Sequence, residues 1–98
     1  MMENKYSERK FIVLDEKDNV AVALADLPSG TVLEIGRTKL YLKEEIPFRL
    51  KFSIRPIKKG DPVIKDGLPI GYATEDIDAG QVVHVHNVVS TRSREWKQ

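Results

Sequence analysis

Cysteine is absent from this 98-residue chain. Its own side chains therefore cannot build a disulfide scaffold, a thiolate nucleophile, a Cys-based zinc site or a Cys-ligated cluster. Long apolar runs are missing as well: no segment approaches the ~18 residues of a membrane helix, and the opening MMENKYSERK is charged with no apolar signal core behind it. The chain is thus expected to contact no membrane and to stay in the cytoplasm. An excess of one charge sign is also lacking. Sixteen basic residues against fifteen acidic ones leave a formal charge of +1, so no net field recruits nucleic acid or anionic lipid. What remains, 41% hydrophobic and 32% charged, is the composition of an ordinary globular protein. At this length the expectation is one domain hiding roughly two-thirds of its unfolded surface.

The local patterns read as short strands. Phe11 to Leu14 is a β-branched and aromatic run ending in the polar turn Asp15 to Asn19. Val20 to Ala25 is ambiguous, because alanine favours helix and valine favours strand; Leu27-Pro28 ends whichever forms. Thr31 to Ile35 and Lys39 to Lys43 alternate apolar and polar residues around Gly36-Arg37-Thr38 and read as a hairpin. Phe52 to Ile54, Val63-Ile64, Pro69 to Ala73 and Val82 to Val89 follow as further strands between Pro- or Gly-bearing breaks. The prediction is a mainly β, barrel-like domain over residues 11–89 with at most a helical turn or two. Residues 1–10 read as a flexible segment and 90–98 as a polar tail, in which Trp96 is an apolar group without an evident partner.

Self-comparison adds a repeat. DLPSGTVL (26–33), PIKKGDPV (56–63) and DIDAGQVV (76–83) share an aliphatic residue, two intervening residues, a glycine and then a strand. EIPFRLK (45–51) is a fourth copy with Arg49 at the glycine position. The aliphatic residue anchors a corner to the core and glycine supplies a positive φ. None of the copies has the spacing of a phosphate-binding loop. Asp26, Asp61 and Asp76 beside these corners read as Asx-type turn formers.

The corner-then-strand pattern is similar to that of SAF domains, which have a β-clip fold. Three longer stretches narrow the likeness: DNVAVALADLPSGT (18–31), GDPVIKDGLPIGYATEDIDAG (60–80) and VHVHN (83–87) resemble the SAF domain of the altronate and galactarate dehydratase family. That resemblance implies a small N-terminal domain or subunit of a sugar-acid hydro-lyase, joined to a large catalytic partner that holds most of an iron or other divalent metal site. It also brings in a related possibility, the small subunit of sulfolactate sulfo-lyase, which eliminates sulfite. Two departures stand out. Pro47-Phe48-Arg49-Leu50-Lys51 replaces a Gly-His-Lys turn, leaving only the lysine, and Asp66 stands where tyrosine is common. The lost Gly-His pair favours a third possibility, a non-enzymatic carbohydrate-binding or chaperone-like SAF module. A homo-oligomer is compatible with exposed strand edges.

The candidate site residues follow. If Val82 to Val89 is one extended strand, His84 and His86 share a face ~7 Å apart, with Val83, Val85 and Asn87 on the other. Paired imidazoles can ligate a metal, grip a carboxylate or move a proton, yet the same pattern also suits packing or plain exposure. No third ligand lies nearby in sequence, so no metal site is expected within this chain alone, although His84 or His86 could complete one with a partner. The resemblance implies catalytic roles for both histidines. It implies substrate contacts for Lys65, Lys51 and Asn87, a lysine being a suitable point charge for a sugar-acid carboxylate. The plainer readings are a solvated Lys65 before the Asp66-Gly67 type I′ signal and an Asn87 that turns the backbone.

Overall fold

The computed structural model describes residues 9–90, so residues 1–8, the end of the tail and Trp96 lie outside the described part. All regular structure in it is β: β1 (Phe11–Ile12), β2 (Val20–Ala23), β3 (Val32–Ile35), β4 (Thr38–Tyr41), β5 (Lys51–Ser53), β6 (Pro62–Lys65), β7 (Leu68–Ala73), β8 (Val82–Val83) and β9 (Val88–Ser90). The strands form three antiparallel sheets: β1-β2-β5-β8, the hairpin β3-β4, and β6-β7-β9. The expected mainly β architecture is present, without the helical turns allowed for. The ambiguous alanine-valine run is a strand because it lies between β1 and β5 with Val20, Ala21 and Ala23 buried, so tertiary pairing overrides alanine's helix preference. Among the described residues no helix is long and apolar enough to cross a membrane.

The repeat seen in the sequence is the architecture itself. In each copy a carbonyl accepts the N–H three residues on: Thr31 to Pro28, Leu50 to Pro47, Asp61 to Lys58 and Gln81 to Asp78. The third residue of each turn has positive φ: 86° at Gly30, 80° at Arg49, 91° at Gly60 and 93° at Gly80. The corners then pair. Leu27 and Ile46 exchange N–H···O bonds of 2.9 and 2.8 Å, and Ile57 and Ile77 exchange bonds of 2.9 and 2.7 Å. Each pair anchors a core. One gathers Leu27, Ile46, Leu33, Leu40 and Phe52; the other Ile57, Ile77, Val20, Val63 and Val83. Asp26 and Asp76 do not cap their own turns as the sequence suggested: Asp26 accepts the N–H of Phe48 and Asp76 that of Lys59, each across its corner pair. Asp61 takes part through its backbone.

Asp18 ties the start of β2 to the β6-β7 hairpin. Its carboxylate, 1% exposed, accepts the backbone N–H groups of Asp15, Asp66 and Gly67 at 2.9–3.0 Å. Burial alone would raise its pKa, but the donors from Gly67, Asp66, Asp15 and Leu14 together hold it below the ordinary value. Beside it, Asn19 accepts the Ile64 N–H and donates to the Pro62 carbonyl. The hairpin so gripped has positive φ at Asp66 (58°) and Gly67 (77°), as a type I′ turn needs.

An Asp18→Asn variant is expected to lose about 1–3 kcal/mol at neutral pH, because the amide would turn a donor toward an N–H group that needs an acceptor. The sign with pH follows from the lowered pKa. Asp18 contributes its stability above the ordinary value of 3.8 and loses it as pH falls through the still lower native value, so the variant's deficit should shrink in acid. Urea unfolding at pH 7 and pH 3 measures both; a deficit that grows in acid would contradict this assignment.

Candidate functional site

Val82 to Val89 is not one strand. It is broken after β8 by a turn in which the Asn87 N–H donates to the His84 carbonyl at 3.0 Å, and the chain resumes as β9. The side chain of Asn87 secures the break: its oxygen accepts the His84 N–H at 3.0 Å and its amide donates to the Val82 carbonyl at 2.9 Å. A short asparagine side chain that satisfies the backbone locally competes with strand pairing, which is why apolar alternation misread this run. The same-face geometry expected for His84 and His86 therefore does not hold. Both are exposed on the turn, and Val85 between them is 81% exposed. Asn87, expected to face a substrate, is 1% exposed, and both ends of its side chain are bonded within its own turn.

That turn closes one side of a cavity of about 230 Å³ lined by Lys51, Ile70, Val83, His84, Val85, Val88 and Ser90. The cavity lies where the edge of one sheet meets another. Lys51 of β5 stands opposite Val83 of β8, while β7 and β9 supply Ile70, Val88 and Ser90. Lys51 is half-buried; burial first, and the charge of Lys65 second, lower its pKa from the ordinary lysine value of 10.5. The structure thus brings Lys51 and His84 to one cavity, with Lys65 near enough for its field to act on Lys51. His86 does not line the cavity, and Asn87 lies beneath the turn.

Chemically, this is an apolar-walled recess with one ammonium and one imidazole at its edge, suited to a small acid whose carboxylate accepts hydrogen bonds from them. Among the described residues no three His, Cys, Asp or Glu side chains converge to hold a metal ion. Sequence reasoning missed Ser90, Ile70 and Val88 as lining residues, since each belongs to a strand whose neighbour is fixed only by the fold. The Asn87 turn had a local signal in its asparagine; the lining had none.

A family model for the altronate/galactarate dehydratase SAF domain matches residues 9–91. The chain belongs to this family. The SAF domain is 47% identical over 78 residues to an altronate dehydratase of Escherichia coli strain K12, covering 80% of this chain and 16% of that protein. An altronate dehydratase of Bacillus subtilis strain 168 is 35% identical over 85 residues, covering 87% of this chain and 17% of its own. The chain thus spans about a sixth of the length of these two relatives. Against the (2R)-sulfolactate sulfo-lyase subunit alpha of Chromohalobacter salexigens the SAF domain is 34% identical over 89 residues, and the match covers 84% of this chain and 95% of that subunit.

Proposed function

We propose that this SAF domain is the small subunit or N-terminal domain of a cytoplasmic sugar-acid hydro-lyase, and that it covers the active site of a larger catalytic polypeptide. The observation that carries the reading is the placement of Lys51 and His84 at one recess, with Lys65 close by, on the face that the Asn87 turn holds in shape. The family match and the altronate dehydratase relatives support it.

In this reading Lys51 and Lys65 hold the substrate carboxylate by charge, and the cavity wall of Ile70, Val83 and Val88 excludes water around it. The reaction removes the proton α to the carboxylate and expels the β-hydroxyl as water. His84 is the group on this chain that moves a proton, since it lines the recess and an imidazole ring carries both a donor and an acceptor nitrogen. His86, outside the cavity, faces the partner. Iron or another divalent metal, held mainly by the partner, would supply Lewis acidity toward the leaving hydroxyl. This chain would add an imidazole donor from His84 or His86 to a site shared with the partner.

A second reading has its own support. Because the match covers 95% of a sulfo-lyase subunit alpha, the same face could serve elimination of sulfite from a hydroxy acid. The non-enzymatic reading keeps its motive in the lost Gly-His pair: Arg49 takes up the left-handed conformation in place of glycine, and Leu50, where histidine would stand, packs half-buried against the first core. The test is co-expression with the large dehydratase-like polypeptide, followed by assay of altronate, galactarate and sulfolactate. Turnover of a sugar acid that requires both chains supports the first reading and sulfite release the second. A stable complex inactive on all three would leave the binding-module reading standing.

A further inference from the structure

The hairpin β3-β4 has an edge that is only partly paired. Its two-residue loop, Gly36-Arg37 with a φ of 63° at the glycine, makes Ile35 and Thr38 the bonded pair that closes it, so backbone groups along β4 alternate in direction. The bonds farther along follow that alternation. The Leu42 N–H donates to Thr31 and its carbonyl accepts from Gly30, across the hairpin, whereas the Lys43 N–H donates to the Gly80 carbonyl on the far side. Lys39 has the same parity as Lys43, so its N–H and carbonyl point to that far side, where no described backbone group meets them. A groove of about 390 Å³ lies there instead. Ile35, Leu40, Ile54 and Ala79 line it, and the first core lies behind them, so its floor is apolar and fixed. Lys39 and Arg55, both exposed, line it too, and no acidic residue does. Neither cation has an ion pair among the described residues, although Glu34 stands opposite Lys39 in the strand register. This groove shares no lining residue with the recess of Lys51 and His84.

From this edge we infer that the groove takes an added strand: an extended segment of a partner polypeptide in which acidic residues alternate with apolar ones. Its main chain bonds to Lys39 and continues the ladder that Gly80 begins, giving a third strand to a two-stranded sheet that is marginal alone. The alternation follows from the faces of β4. Leu40 is buried and Lys39 exposed, so side chains of the added strand beside Leu40 turn to the apolar floor, and those beside Lys39 turn outward with it. Charge selects the occupant: carboxylates answer Lys39 and Arg55, whereas a basic strand is repelled by both.

The test titrates the full chain, isotopically labelled for NMR, with three probes: a capped pentapeptide alternating glutamate and valine, its lysine-valine counterpart, and capped glutamate alone. The acidic peptide is expected to shift the backbone amides of Lys39, Ile54 and Arg55 and, at saturation, to slow hydrogen exchange at the Lys39 N–H by about tenfold or more, as a new main-chain bond requires. The basic peptide should bind about tenfold more weakly, the sum of a few exposed charge contacts turned from attraction to repulsion. Arg55→Glu, a change at an exposed side chain whose fold the same spectra verify, leaves one cation and one anion at the groove and should bring the two peptides within about twofold of each other. Four results would each overturn the inference. They are no shift at these amides, equal binding of both peptides to the unaltered chain, a Lys39 N–H that exchanges as fast with peptide as without, and capped glutamate binding as tightly as the pentapeptide, which would make this a small-anion site. Shifts at Lys39 that grow with protein concentration in the absence of peptide would also overturn it, by assigning the edge to a second copy of this chain.

Discussion

Alanine at Gly80 is expected to cost about 4 kcal/mol or more, a large share of the roughly 5–15 kcal/mol that holds a domain of this size folded. Two effects add. The residue has a φ of 93°, where an L side chain costs roughly 1–2 kcal/mol, and a Cβ there would collide with the backbone carbonyl of Tyr41. That carbonyl cannot step aside cheaply, because the adjoining Lys43 N–H is bonded to the Gly80 carbonyl at 3.0 Å and the Gly80 N–H to the Ser53 carbonyl at 2.9 Å. Gly30 is the internal control. It occupies the equivalent corner with a φ of 86°, but a Cβ there meets nothing within 4 Å. Gly30→Ala should lose only the conformational part, about 1–2 kcal/mol. Arg49 shows that an open corner of this kind tolerates a side chain at a φ of 80°. Urea denaturation of the two variants measures the difference; equal losses would mean that the Tyr41 approach is soft.

Much of this fold could be read in the chain because its unit is local. An aliphatic anchor, a turn and a positive-φ residue occupy consecutive positions, so the four corners were legible, including the one where Arg49 replaces glycine. The Asp66-Gly67 hairpin was legible for the same reason. What stayed hidden depends on distant partners. Asp18 looked like one of several turn acids because the Asp66 and Gly67 donors lie 48 and 49 residues away. Asp26 and Asp76 were misread as local caps because their partners stand on the opposite corner. In the site, Lys51, Lys65 and His84 come from different strands and loops, so no spacing rule connects them; the family resemblance named them, and the fold brought Lys51 and His84 to one cavity. Asn87 illustrates the reverse: its residue type hinted at a turn, but the apolar run around it pointed to a strand.

The second large effect is expected in the proposed complex with a larger catalytic polypeptide. His84→Ala should lower kcat by about 10²- to 10⁴-fold, the usual worth of a positioned proton-transfer group. His84 is exposed and its contribution to the turn is made through its backbone, so alanine should leave the Asn87 hydrogen bonds and the fold in place. His86→Ala, outside the cavity, should cost less. Lys51→Met should act differently, raising KM through loss of the proposed carboxylate contact with a smaller change in kcat. Because the histidine substitutions remove surface side chains, unchanged melting temperatures would separate lost chemistry from lost structure.

The most direct measurement is steady-state turnover of the catalytic polypeptide bound to wild-type or His84→Ala SAF domain, at matched occupancy of the complex. The account predicts that the wild-type pair eliminates water or sulfite from its acid substrate, that the polypeptide alone does not, and that His84→Ala retains binding while losing at least about 10²-fold in kcat. Full activity of the polypeptide alone, or of the pair carrying both His84→Ala and His86→Ala, would contradict it.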